Sequence, residues 1–92
     1  MKVSCLHWDD ANIEHVARHG LSPVDIEDVC FGEHISFRGK QRRYVLYGKT
    51  RGGMMIMVVL EQLSRHRQVF RPITATPMTE REKHRYRRRA GD

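Results

Sequence analysis

MMIMVVLEQ, Met54 to Gln62, is the stretch on which the fold turns. Its unbroken apolar start, rich in Met, Ile and Val, fits a central strand covered on both faces. The segment before it, RRYVLYGKT (Arg42–Thr50), reads as a second strand, and TRGG (Thr50–Gly53) supplies the tight turn between the two. Beyond it, the polar loop SRHR (Ser64–Arg67) leads into a further strand, VFRPITAT (Val69–Thr76). Pro72 lacks the N–H that a ladder requires, so this strand is expected at an edge or at a bulge. Ile35 and Phe37 alternate ahead of a polar turn containing Gly39 and mark one more short strand. Hairpin-length connections make such a sheet antiparallel.

Helical spacing flanks the strands. KVSCLHW (Lys2–Trp8) carries a weak strand signal, Val3 and Cys5 against Ser4 and Leu6, that stops at Asp9 and Asp10. With Asp9 as N-cap, Trp8 and Ile13 take the hydrophobic-staple positions, and Ile13, Val16, Ala17 and Gly20 share one helical face. Gly20 closes that helix. Ser22 caps a second helix with Pro23 at its first position; Leu21 and Ile26 repeat the staple, Ile26, Val29 and Cys30 are buried, and Gly32 ends it. Near the end, PMTEREKHRYRRR (Pro77–Arg89) places Thr79 and Glu82 three apart, the capping-box spacing. The expected fold class is α+β: an antiparallel sheet of three to four strands with two N-terminal helices and a C-terminal helix, in one domain over residues 1–92.

Seventeen Lys plus Arg against 11 Asp plus Glu leave a net charge of +6 with histidines neutral, which suits a nucleic acid or an acidic protein partner. Lys83, Arg85, Arg87, Arg88 and Arg89 gather toward the end of the last helix, where the dipole favours cations but mutual repulsion opposes the cluster. A bound polyanion relieves that repulsion. With no run of about 18 apolar residues and no signal pattern, the expectation is a soluble, cytoplasmic chain with no membrane partner. Cys5 and Cys30 sit in apolar-periodic segments and are expected as buried free thiols, outside any disulfide framework.

Trp8-Asp9, Asn12, His15, His19-Gly20, the turn from Gly48 through Thr50 to Gly53, Arg71-Pro72-Ile73-Thr74-Ala75, Thr79, Glu82 and Tyr86 occur in this order over residues 7–86. Together they resemble the BrnT toxins of bacterial type II toxin–antitoxin pairs. The resemblance implies a RelE-like ribonuclease fold, an activity that cleaves RNA and inhibits translation, and neutralisation by a BrnA-type antitoxin, in a complex of two toxins with two antitoxins. Relatives commonly carry a basic residue directly after the Ser/Thr-Ala pair. Here that position is Thr76, followed by Pro77. The departure keeps open a non-catalytic nucleic-acid-binding module and a protein-interaction module.

Metal-free RNA cleavage needs a base for the 2′-hydroxyl, a cation for charge developing on phosphorus and an acid for the leaving 5′-oxygen. The candidate catalytic residues are Arg71, His19, Tyr86 and Lys49; the candidate RNA-binding residues are His15, Arg51, Arg43, Lys83, Arg85 and Arg87. Strand alternation sets Arg71 in register with Val69, Ile73 and Ala75, toward a packed layer, where it either faces the phosphate or pairs with Glu61 or Glu82. Lys49 and Arg51 flank the glycine-rich turn, as backbone-phosphate contacts or as solvated charges. His15 and His19 stand four apart on one helical face, a zinc-like spacing that lacks a third ligand, so neither metal nor cofactor is expected. Trp8 reads as packing or as a base-stacking ring, and Tyr86 as an anchor of the last helix whose hydroxyl reaches the groove.

Overall fold

The structure, a computed structural model, describes residues 1–91. The elements run β1 (Cys5–Leu6), α1 (Asp10–Ala17), α2 (Pro23–Phe31), β2 (His34–Arg38), β3 (Arg43–Lys49), β4 (Met55–Ser64), β5 (Val69–Pro77) and α3 (Glu80–Ala90). The sheet has five strands in the order β1-β5-β4-β3-β2. This corrects the expected three to four strands. It also corrects the all-antiparallel sheet, because β1 pairs with β5 in parallel, Cys5 beside Val69 and Leu6 beside Phe70. The weak N-terminal alternation is a real but minimal strand, extended by bonds from the Ser4 N–H to the Gln68 carbonyl and from the His7 N–H to the Phe70 carbonyl.

β4 is central, as its composition suggests, but its two faces differ. Ile56, Val58 and Leu60 are fully buried, whereas Met55, Met57, Val59 and Glu61 on the alternate positions are only half-covered. The buried face meets Val16 of α1 and Ile26, Val29 and Cys30 of α2, with Leu46, Phe70 and Ala75 completing the core. Burying a Val, Leu, Ile or Phe side chain contributes about 1.5–3 kcal/mol, so this one-sided layer supplies most of the fold's cohesion. α2 lies very close to β3. A Cβ on Gly48 would come within 2.9 Å of Val29 Cγ1 and 3.1 Å of the Glu33 carbonyl, so a side chain there would push the helix away.

All three helices start on reciprocal capping boxes, Asp9 with Asn12, Ser22 with Asp25 and Thr79 with Glu82. α1 ends at Ala17, and Gly20 closes the following turn with φ +76°. Ile13, expected on the core face of α1, is 38% exposed, and buried Asn12 takes the inner place instead. The residue is polar because its amide has work to do: its oxygen accepts the Asp9 N–H at 2.8 Å and its Nδ2 donates to the His7 carbonyl at 3.2 Å. Cys30 is buried, but Cys5 is exposed: Val3 is buried, Leu6 packs against the core, and Cys5 points outward.

Pro72 sits at a bulge, one of the two expected settings. The β4–β5 register shifts between Val59 and Leu60, which face Thr74 and Pro72, leaving Ile73 as the extra residue. The consequence falls on Arg71. Ala75 opposes Val58 and Pro72 opposes Leu60, so Ala75 shares the core face with Pro72, while Arg71 opposes Glu61 on the other face. Uninterrupted alternation would have aligned Arg71 with buried Ala75. The bulge spares the guanidinium from the core.

Candidate functional site

The half-covered face of the sheet collects the chemistry. Residues paired across neighbouring strands point to the same side, so the ladder defines rows. Arg43, Glu61 and Arg71 form one row across β3, β4 and β5. Phe37, Val45, Val59 and Thr74 form the next, followed by Ile35, Tyr47, Met57 and Thr76, then by Lys49 and Met55. A floor of methionine, valine and threonine thus lies between charged ends.

Arg71 is held from two sides. Its Nε donates to Asp9 Oδ2 at 3.3 Å, and its Nη1 stands 3.9 Å from Glu61 Oε1. Of the two expected carboxylate partners, Glu61 is present and Glu82 is not; the other partner is Asp9, the N-cap of α1. Asp9 does both jobs, since its Oδ1 accepts the Asn12 N–H at 2.8 Å. That backbone hydrogen bond, reinforced by the bond and charge from Arg71, holds the Asp9 carboxyl below its ordinary range against the opposing effect of desolvation. The Arg71 side chain remains 36% exposed, so the guanidinium is fixed in direction but open to a ligand.

α1 passes beside β5 and brings His15 to it, with Nε2 3.1 Å from Thr74 Oγ1. Thr74 lies in the row next to Arg71, two residues along the ladder, a separation of about 7 Å by strand rise. His15 and Arg71 therefore flank one end of the open face. His19 is exposed and meets His15 edge-on, ring centroids 5.9 Å apart. No group of three or more His, Cys, Asp or Glu side chains suited to a metal ion forms among the described residues.

The other expected catalytic residues lie elsewhere. Lys49 is at the far end of β3, six residues from Arg43 in the Arg71 row, which is about 20 Å along the strand. Tyr86 faces β2 and β3 from α3. Arg71, Lys49 and Tyr86 therefore stand apart on the sheet face and do not converge on one atom. Arg43 is exposed in the Arg71 row. Arg51 is anchored to α2: its N–H donates to Asp28 Oδ2 at 3.0 Å, and its Nε is 3.7 Å from Asp28 Oδ1.

α3 carries the remaining cations. Lys83 pairs with Glu80 at 3.7 Å, and Arg87 is exposed. Glu82, Arg85, Tyr86 and Arg89 follow the i, i+3, i+4, i+7 spacing and border, with Arg88, a groove of about 490 Å³ over Ile35, Phe37, Val45 and Tyr47. Tyr47 Oη donates to Glu82 Oε2 at 3.3 Å; burial and then the Glu82 charge push its phenol up. The Arg89 guanidinium lies over the Phe37 ring, 5.3 Å from its centroid. Trp8 is partly buried and packs against the core with Nε1 buried and unpartnered, which is the packing role of the two expected for it.

The neighbours that sequence reasoning does not supply are Asp9 for Arg71 and Thr74 for His15. Their signal is the packing of α1 beside β5, which no local pattern contains.

No family model matches the chain, and no curated protein matches it. Among solved structures it is similar to the crystal structure of the Brucella abortus ribonuclease toxin BrnT, with a TM-score of 0.66 at 20% identity over 83% of this chain and 97% of that one. The likeness shows the fold alone: the α+β arrangement of this chain, three helices and a five-stranded sheet among the described residues, is similar to that of the solved structure. No helix among the described residues is long and apolar enough to cross a membrane.

Proposed function

We propose that this chain is a cytoplasmic, single-domain RNA-cleaving toxin of a type II pair, neutralised by a BrnA-type antitoxin in a complex of two toxins and two antitoxins. The observation that carries the reading is Arg71: a guanidinium turned out of the core by a bulge, aimed by Asp9 and Glu61, and left accessible on an open face beside His15. The BrnT-like fold and the charge of +6 support it.

In the proposed reaction a base takes the 2′-hydroxyl proton, the 2′-oxygen attacks phosphorus, and the 5′-oxygen leaves with a proton from an acid. Arg71 stabilises the charge that develops on the phosphoryl oxygens. His15, with His19 behind it, is the proton-transfer group, and Glu61 orients Arg71. Arg43 and Arg51 position the RNA backbone together with Lys49, Lys83, Arg85 and Arg87, while Tyr86 lines the path on α3. Metal independence is part of the proposal, because the two histidines bring no third donor with them.

A second reading rests on Thr76. It lies opposite Met57 on the open face, so the position where relatives carry a basic residue is neutral here. That favours a module that binds RNA without cutting it. Incubating the purified protein with single-stranded RNA under chelation separates the two: cut products support the ribonuclease, and intact bound RNA supports the binder.

A further inference from the structure

We infer that the groove between α3 and the β2–β3 edge is a nucleobase-binding subsite of the proposed RNA face, one that receives a single unstacked base of the bound strand. The inference rests on the RNA reading and adds to it where a base is held. Three rings meet there. Phe37 and Tyr47 stand edge-to-face with centroids 6.0 Å apart, and Tyr86 borders the same groove from α3. Phe37 is 38% exposed, unlike the rings of the core. Single-stranded RNA is recognised by splayed bases stacked on aromatic side chains or guanidinium planes. Arg89 already lies over Phe37 in that manner, 5.3 Å from the ring centroid.

Charge selects the occupant. Arg85, Arg88 and Arg89 rim the groove, and its one lining carboxylate, Glu82, is engaged by the Tyr47 hydroxyl and the Thr79 N–H. An apolar aromatic floor with an arginine rim matches a base with its flanking phosphates. Position supports the same occupant. Phe37 heads the row Phe37, Val45, Val59, Thr74, whose far end carries His15 on Thr74. Three strand spacings, about 14 Å, separate the groove from the proposed cleavage end, so one short strand crosses both. An acidic protein segment is the competing occupant; it would pair with the arginine rim but leave the exposed aromatic floor unused.

The test compares a 2′-O-methyl hexauridylate, which blocks cleavage through the 2′-oxygen, with an abasic hexamer of equal charge, by fluorescence anisotropy on the full chain. The base-bearing probe should bind about tenfold more tightly, the effect of stacking one base. Phe37→Leu, which keeps an apolar side chain at an exposed position, should bring the two affinities together. Equal affinities for the native protein would overturn the groove while leaving phosphate contacts on the sheet intact. Binding of neither probe would overturn the RNA reading itself. A preference that survives Phe37→Leu would put the base elsewhere, and binding of an oligoglutamate peptide in place of both probes would assign the groove to an acidic partner.

Discussion

Arg71 Nε donates to Asp9 Oδ2 at 3.3 Å while Asp9 Oδ1 accepts the Asn12 N–H at 2.8 Å, so one carboxylate both starts α1 and aims the guanidinium of β5. The helix that carries His15 and the strand that carries Arg71 are thereby locked at a single residue. Because the pair is more than a third exposed, removing Arg71 leaves carboxylates that water reaches. Arg71→Ala should lower stability by no more than about 1 kcal/mol. Its circular dichroism spectrum and chemical denaturation curve should remain close to native.

Asp9→Asn separates the charge from the cap, since Asn is an equally good N-cap. The folded pKa of Asp9 lies below its ordinary 3.8, so the stability it adds is complete above that value and is lost as pH falls through the depressed one. The stability gap between native and Asp9→Asn proteins should be present at neutral pH and close in acid. Denaturation midpoints measured across a pH series check this, and a gap that widens in acid would reverse the sign.

Much of this arrangement was legible in the sequence. The Thr79, Ser22 and Asp9 caps, the turn at Thr50–Gly53 and the Ile26, Val29 and Cys30 face all obey local rules, and each is found where spacing placed it. What escaped is non-local. β1 exists because Leu6 finds Phe70, a parallel partner 64 residues away. Arg71 faces outward because Ile73 is an extra residue in a ladder whose register depends on β4. Ile13 and Asn12 exchanged their expected places because the Asn12 amide satisfies the Asp9 N–H and the His7 carbonyl, a gain that hydrophobic periodicity does not weigh.

Thr79→Ala removes a hydroxyl that accepts the Glu82 N–H at 3.1 Å. Losing such a cap costs about 1 kcal/mol. For a chain of this size that corresponds to a fall in Tm of about 4–8 °C per kcal/mol. Thermal unfolding by circular dichroism measures it. The loss should register in the thermal transition, since α3 is tied to the sheet through the Tyr47 contact with Glu82 and the Arg89 guanidinium over Phe37.

The two thiols should behave differently. Cys30 is buried, and burial together with the nearby Glu27 charge pushes its thiol up to about 12, whereas Cys5 is exposed. A thiol reagent at mildly alkaline pH should therefore label one cysteine per native chain quickly and the second only on unfolding. Mass spectrometry of the labelled protein assigns the site.

The central claim, that Arg71 carries RNA cleavage on the open face, is tested most directly by one comparison: the rate of single-stranded RNA cleavage by purified native protein and by folded Arg71→Ala, both under chelation. Removing one preorganised donor to developing charge typically costs about 10²–10³ in rate. The account predicts a loss of at least that order with the fold intact. A folded Arg71→Ala protein that cleaves at the native rate would contradict it.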